Sequence, residues 1–134
     1  MVLSDTPYIH VEYYPAHNVI VTQWYAHCTS REYRNALNRF LAYVTSMDIS
    51  YAIADRRLLP PLPPEDTRWT LTEYIEDFKK LPLKRFAIIN SFDPAASTQV
   101  QEFIHNKANP LPFEVRVFED LTSAYDWLIE DQQK

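Results

Sequence analysis

The sequence predicts an α/β fold in which an N-terminal β-hairpin is followed by βαβαβα units, giving a mostly parallel five-stranded sheet with four helices. Segments with apolar residues at every second position alternate along the chain with segments whose apolar residues recur every three or four positions. Helix-starting residues, namely Asp, Thr and Pro, stand where the second kind of segment begins. One strand segment is apolar on both faces, as is typical of the middle of a parallel sheet. Strands that alternate with helices in this way are expected to pair in parallel.

The first two strands are predicted from alternation and composition. Ile9, Val11 and Tyr13 share one side of an extended segment, and a period of two is typical of a strand. Residues 15–18, Pro-Ala-His-Asn, interrupt it, and the final asparagine suits a left-handed turn position. Residues 19–25 are β-branched and aromatic, so we expect them to return as the second strand of a hairpin.

The first helix is predicted to begin at residues 29–32, Thr-Ser-Arg-Glu, which have the spacing of a capping box. Apolar side chains then recur at helical spacing and form one stripe, and they are Tyr33, Ala36, Leu37, Phe40, Leu41, Val44 and Met47. Residues 49–54 follow as the third strand. Small side chains at Ser50, Ala52 and Ala54 favour close packing of a helix against the sheet.

A stiff connection leads to the second helix. Residues 58–64, Leu-Leu-Pro-Pro-Leu-Pro-Pro, have few backbone donors and fixed φ angles, so we expect them to be extended. Pro64 and the two acidic residues after it suit the first turn of a helix. Trp69 and Phe78 are among the side chains expected on its buried face, and Pro82 lies just beyond its end.

The rest of the chain is predicted to add two strands and two helices. Residues 85–90 are apolar on both faces and form the central strand. Asp93 and Pro94 suit the cap and the first residue of the third helix. Residues 113–117 alternate apolar and polar side chains, as in a half-exposed strand, and Asp120 or Thr122 caps the last helix.

Composition and length indicate the class of protein. Residues 1–134 are expected to form a single domain with its own core, with flexible ends at residues 1–7 and 131–134. No apolar run approaches the roughly 18 residues of a transmembrane segment, and the first residues lack the features of a signal peptide. A single cysteine, Cys28, suits a reducing compartment, so a cytoplasmic location is predicted. The net charge of −5 argues against nucleic-acid binding.

The chain contains no glycine, although average usage of about 7% would give roughly nine. This absence excludes glycine-rich phosphate loops, the dinucleotide-binding fingerprint and the G-x-S-x-G nucleophile elbow. Positions with positive φ must then be filled by Asn, Asp or His. The four histidines and the cysteine lack the spacings of metal sites, so neither a metal nor a cofactor is expected.

Several short motifs carry a resemblance to a known family. They are the N-terminal hairpin, the strand ending in Asp55-Arg56-Arg57, the segment Pro64-Glu65-Asp66-x-x-Trp69 and the closing Ala124-x-x-Trp127-Leu128. With the order of elements, they resemble the STAS superfamily, and more closely its small bacterial SpoIIAA-like (STAS/SEC14-like) domains, over about residues 8–129. The resemblance implies a single-domain, non-enzymatic regulatory or binding module.

The chain departs from that family in the loop after the third strand. Anti-sigma-factor antagonists of the superfamily carry an Asp-Ser-Ser/Thr-Gly phosphorylation motif there, whereas residues 55–61 read Asp-Arg-Arg-Leu-Leu-Pro-Pro. Only Asp55 matches, as the acidic residue that ends the strand. Neither a phosphorylation switch nor the serine kinase that it would control is therefore implied for this chain.

The candidate binding site is the edge formed by the carboxyl ends of the strands, because open parallel sheets bind ligands there. The residues expected at this edge are Asp55, Arg56, Arg57, Ser91 and Asp93. In one hypothesis the two arginines, together with helix N-termini at the same edge, receive a carboxylate or phosphate of a ligand or partner. In the alternative, Arg56 pairs with Glu65 or Asp66 at the start of the second helix.

Two further groups of residues also have alternative interpretations. Trp69, with the leucines of the proline-rich connection, could line a small apolar cleft or could anchor that connection on the core. The basic residues around the end of the second helix are expected to be solvated, and they are Lys79, Lys80, Lys84 and Arg85.

Three functions are compatible with the sequence. The leading hypothesis is a non-enzymatic module that engages a protein partner or a small ligand. The second is a carrier of a lipid-like or apolar small molecule, for which a pocket of at least about 300 Å³ is expected. The third is a small enzyme with acid-base groups at Asp55, Ser91 and Asp93, for which shifted pKa values in a cleft are expected. A partly wet sheet face and an unpaired edge also predict a homodimer.

Overall fold

The computed structural model describes residues 1–133, and its strands form one six-stranded mixed sheet. The strands lie side by side in chain order as β1 (Val2–Asp5), β2 (Ile9–Tyr14), β3 (Val19–Trp24), β4 (Tyr51–Asp55), β5 (Arg85–Ile89) and β6 (Glu114–Phe118). The first three strands pair antiparallel and the last four pair parallel. The predicted α/β fold is therefore confirmed, including the parallel pairing of β4 with β5 on which the prediction depends.

Helices connect the parallel strands, and a last helix follows the final strand. They are α1 (Ser30–Met47), α2 (Pro64–Trp69), α3 (Ile75–Phe78), α4 (Pro94–Ile104) and α5 (Leu121–Gln132). A π-helical turn, Thr70–Tyr74, joins α2 to α3 without a break, so these three pieces are the single second helix that the sequence predicts. Four helical segments result, as expected.

The sheet has one strand more than predicted. β1 consists of residues expected to be flexible, and it pairs antiparallel with β2, while the amino group of Met1 donates to the carbonyl oxygen of Tyr13 at 2.8 Å. The turn between them is closed by Thr6, whose hydroxyl donates to the Ile9 carbonyl oxygen and accepts from the Ile9 N–H, both at 3.0 Å. The side chain of Thr6 thus supplies hydrogen bonds that close a turn containing no glycine. Four residues are too few for an alternating pattern of apolar side chains to identify a strand in the sequence.

The C-terminal residues that are expected to be flexible include the end of a helix. Helix α5 extends to Gln132, and the hydroxyl of Tyr51 donates to the carboxylate of Asp131 at 2.8 Å. The side-chain amide of Gln132 donates to the carbonyl oxygen of His17 at 2.7 Å. The last residue of the expected flexible end, Lys134, lies outside the described residues.

Local features that the sequence predicts are present. Both hydrogen bonds of the capping box form at the start of α1, between Thr29 and Glu32, at 2.9 and 3.1 Å. Asp93 caps α4 and Asp120 caps α5. Among residues 1–133, positive φ angles occur at Asn18 (56°) and Asp48, the residue types expected to adopt them when glycine is absent.

Two hydrophobic cores lie on opposite faces of the sheet. Helices α1, α3 and α4 cover the first face, where Ala52 and Ala54 of β4 provide the small surface that the sequence indicates. On the second face, Ala124 and Leu128 of α5 pack against the outer side chains of β3, β4 and β5. We expect this second face to be partly exposed to solvent. The expectation holds only for the part that α5 does not cover, where β2 carries the polar His10.

One basic side chain is buried where the sequence suggests a solvated cluster. Arg85 begins β5 and is 3% exposed. Its guanidinium donates to the carbonyl oxygen of Trp127 at 2.8 Å and lies 4.7 Å from the centre of that residue's indole ring. Glu114 and Glu130 each pair with it at 3.3 Å. Arg85 therefore joins α5 to the sheet, because strand alternation turns it towards the second core.

Candidate functional site

A predominantly apolar cavity of about 60 Å³ lies between the first face of the sheet and the surrounding helices, and we call it the helix-side cavity. Aromatic and aliphatic side chains form most of its wall, among them Trp24, Phe40, Phe86, Val100 and Phe103. Ala36 of α1 and Ala54 of β4 also line it. The space exists because these two small side chains stand where the helix layer meets the sheet.

Arg56 is the one charged residue on the wall of the helix-side cavity in the part of the chain that the structure describes. It directly follows β4, and its side chain falls on the helix side because alternate residues of an extended chain share a face, here Ala52, Ala54 and Arg56. Arg56 is half-buried. No carboxylate of residues 1–133 lies within 4.0 Å of its guanidinium nitrogens, since every ion pair involves other residues.

The acidic residues at the start of α2 do not neutralise Arg56. Asp66 is 1% exposed, and its carboxylate accepts from the Ser30 hydroxyl at 2.6 Å and from Arg34 Nε at 3.1 Å. Arg34 also donates to the main-chain carbonyl of Glu65 at 3.4 Å. α1 thus supplies the partners of the Asp66 carboxylate, and no ion pair joins Glu65 to Arg56. The expected alternative, a pair between Arg56 and either of these residues, is therefore not formed.

Hydroxyl groups share the cavity wall with Arg56. The hydroxyl of Thr70 donates to the Asp66 carbonyl oxygen at 2.7 Å, and a threonine hydroxyl has a single hydrogen. In the 2.8 Å contact between the Tyr33 and Thr70 hydroxyls, Tyr33 is therefore the donor. The buried Oγ1 of Thr67 has no hydrogen-bond partner among residues 1–133. The wall thus retains unused hydrogen-bonding capacity.

The phenols and the nearby thiol are neutral at pH 7. Burial raises the pKa of Tyr33, opposed by the positive charge of Arg56, and burial holds the pKa of Tyr74 well above its usual range. Burial, assisted by the carboxylates of Glu32 and Asp66, raises the pKa of Cys28 to about 11. Cys28 therefore remains a thiol, which is a poor nucleophile.

The π-helical turn contributes directly to the helix-side cavity. Its defining hydrogen bond runs from the Ile75 N–H to the Thr70 carbonyl oxygen, five residues back. The hydroxyls of Thr70 and Thr72 each donate at 2.7 Å to the carbonyl four residues earlier, and such side-chain bonds compete with the helical ladder. The widened turn carries Thr70 and Leu71, which line the cavity, and π-helical turns occur often at functional sites.

The proline-rich segment, residues 58–64, is fastened beside the cavity. Gln99 of α4 accepts from the Leu62 N–H at 2.8 Å and donates to the Leu62 carbonyl oxygen at 3.0 Å. The Ser91 hydroxyl donates to the Leu59 carbonyl oxygen at 3.1 Å. Leu62 and Gln99 both line the cavity, so this stiff segment forms part of its wall.

The remaining predicted site residues lie at the carboxyl ends of the strands but have other partners. Asp55 and Arg57 pair with each other at 2.7 Å, because they occupy alternate positions and share the face opposite to Arg56. Ser91 accepts from the Asp93 N–H at 3.1 Å, and the Asp93 carboxylate accepts from the Ala95 N–H at 2.8 Å. The predicted edge therefore divides into a helix side with Arg56 and an opposite side with the Asp55–Arg57 pair.

Trp69 packs against the core beside the cavity and does not line it. Its ring centre lies 5.4 Å from that of Tyr74 and 6.3 Å from that of Tyr33, and the Arg34 guanidinium carbon lies 5.0 Å above it. These contacts agree with the anchoring interpretation of Trp69.

Sequence reasoning missed the residues of α2, the π-helical turn and α4 that complete the wall. Thr67, Thr70 and Gln99 are polar side chains in helical segments, where a solvated position is the ordinary expectation. A usable signal was the alternation from Ala52 through Ala54 to Arg56, which separates this arginine from Arg57.

Two classes of feature are not found in residues 1–133. No group of three His, Cys, Asp or Glu side chains is placed to hold a metal ion. Within the same residues, none of the helices combines the length and apolar character needed to cross a bilayer.

Comparisons of the chain with protein-family models, with curated proteins and with solved structures find no match.

Proposed function

We propose that this chain is a non-enzymatic, STAS-like binding module whose ligand site is the helix-side cavity. One observation carries the proposal: the cavity is apolar, and the only charge on its described wall is an arginine without a carboxylate partner. A half-buried charge without a counter-ion is costly, and empty apolar space forfeits packing contacts. A bound molecule of suitable shape relieves both costs.

The size of the cavity favours a small ligand over the lipid-like cargo of a carrier. Its volume of about 60 Å³ equals the share of roughly two water molecules in the liquid. Pockets for drug-sized molecules begin at about 300 Å³. The space therefore suits a short aliphatic group.

The chemistry of the wall favours binding over acid-base catalysis. In residues 1–133 the cavity lining contains no carboxylate, imidazole or thiol, which are the usual groups for proton transfer or nucleophilic attack. Asp55, Ser91 and Asp93, the residues of the enzyme hypothesis, are engaged with Arg57, Leu59 and the start of α4.

Methyl NMR titrations test the proposed function. Butyrate, butyramide and n-butylamine are added separately, and the methyl signals of Leu37, Ile88 and Val100, which line the cavity, are followed. We expect at least one probe to shift them saturably, and Ala54→Val to abolish the shift by filling the space. The proposal fails if none of the probes shifts these signals, or if Ala54→Val binds as well as the wild type.

A second candidate, docking of a protein partner, is supported by two exposed apolar side chains at the carboxyl ends of the strands. Leu58 is 55% exposed and Phe92 is 72% exposed, and the Phe92 N–H donates to the Arg57 carbonyl oxygen at 3.1 Å, which holds their loops together. Light scattering tests the simplest partner, a second copy of the chain. A dimer that Phe92→Ser dissociates supports this candidate, and a monomer at millimolar concentration opposes the homodimer.

A further inference from the structure

We infer that the ligand of the helix-side cavity is a short aliphatic monocarboxylate, with its carboxylate on Arg56 and its alkyl group in the cavity. The inference rests on the proposed function, since it names the ligand class for the same site. The charge of the wall, the volume of the cavity and an unpartnered buried hydroxyl support it.

The charge of the wall selects an anion. A guanidinium presents a planar set of donors that matches the two oxygens of a carboxylate. Asp66, one of the two partners expected from the sequence, is occupied by Arg34 and Ser30, so it does not compete for Arg56. A cationic ligand would be repelled by Arg56, and a neutral one would leave the guanidinium unpaired.

The apolar wall and the volume select the remainder of the ligand. About 60 Å³ accommodates about two methyl or methylene groups beyond the carbon that carries the carboxylate, because each such group is about as large as a water molecule. Butyrate and isobutyrate have this composition. Inorganic phosphate carries the charge but has no apolar part, so it gains nothing from contact with residues such as Val100 and Phe103.

We expect Thr67 to supply a donor for the same carboxylate. Its Oγ1 is buried and lacks a partner among the described residues, and the residue lies on the cavity wall with Arg56. A buried hydroxyl without a partner is unfavourable, and a carboxylate oxygen satisfies it. The Thr67 hydroxyl forms no hydrogen bond with a hydrocarbon tail, so it favours binding of the acid over binding of an alkane of equal size.

The experiment compares butyrate with its neutral isostere butyramide and with the cationic n-butylamine, using the methyl titration of the cavity residues to obtain each Kd. We expect butyrate to bind at least tenfold more tightly than butyramide, because a charge-assisted bidentate contact is lost in the amide. Arg56→Gln should weaken butyrate binding at least tenfold and leave butyramide binding unchanged. Arg68→Gln, which removes an exposed arginine and so makes the same change in net charge, should leave both unchanged.

The possible outcomes separate this inference from the proposed function. Equal affinity for butyrate and butyramide, or unchanged butyrate affinity in Arg56→Gln, overturns the carboxylate assignment while the cavity remains a binding site. Absence of binding by all three probes overturns both. If Arg56→Gln does not fold, the wild-type comparison decides alone, and Arg56→Lys, which keeps the charge but loses the planar fork, should bind butyrate with intermediate affinity.

Discussion

Substitution of Ala54 by valine should stabilise the protein while it destroys the proposed site. Ala54 is a buried strand residue on the cavity wall, and valine adds two methyl groups with a side chain that suits a strand. The penalty for an internal void is about 24 cal/mol per Å³, so filling 60 Å³ is worth at most about 1.4 kcal/mol. Some strain accompanies the added bulk, and we expect a gain of about 1 kcal/mol, or roughly 4 °C in Tm.

Urea denaturation and thermal unfolding measure this change. The matched control is Ala52→Val, on the same strand and the same face, where the side chain is 0% exposed and does not line the cavity. That variant should be destabilised by about 1–3 kcal/mol through overpacking. If Ala54→Val is destabilised as much as Ala52→Val, the space is not available to a side chain, and the reasoning from cavity volume is refuted.

Three further predictions concern contacts around the site and the sheet. Arg85→Met keeps the apolar stem but loses the ion pairs and a bond to a main-chain carbonyl of α5, so urea denaturation should show a loss of about 2 kcal/mol. The hydrogen bonds that His10 donates to the carboxylates of Glu12 and Asp5 raise its pKa. This stabilisation is complete below about pH 6.5 and is lost as the pH rises through the raised pKa, so the free energies of unfolding of wild type and His10→Asn should converge as the pH rises above about 6.5. Gln99→Ala removes both bonds to Leu62 and should cost about 1–2 kcal/mol, with faster hydrogen exchange at that amide. Equal exchange in the two proteins contradicts the fastening role of Gln99.

The layered fold follows from signals that are local in the sequence. The capping box at Thr29, the Asp-Pro start of α4 and the apolar run of β5 each determine one element. Parallel pairing follows from their alternation, because each crossover helix returns the chain to the same end of the sheet. β1 and the burial of Arg85 did not follow, since both depend on partners distant in sequence: Tyr13 for the amino terminus and Trp127 for the guanidinium.

The site could be predicted only in part. The position of Arg56 at the carboxyl end of β4 follows from sequence and topology, but its separation from Arg57 depends on strand alternation continuing past the end of β4. Asp66 pairs with Arg34 on α1, and Arg56 has no carboxylate partner among residues 1–133. Both depend on the three-dimensional arrangement. The π-helical turn could not be predicted from the sequence either, because a change in the helical hydrogen-bonding pattern has no signature in the types of residue.

The most direct measurement for the proposed site is a filtered NOE experiment on the wild-type protein with bound butyrate. The proposed geometry predicts NOEs from the butyrate methyl protons to the methyl groups of Ala54 and Val100 inside the helix-side cavity. NOEs confined to the exposed Leu58 and Phe92 would place butyrate on the surface and contradict the assignment of the cavity as the binding site.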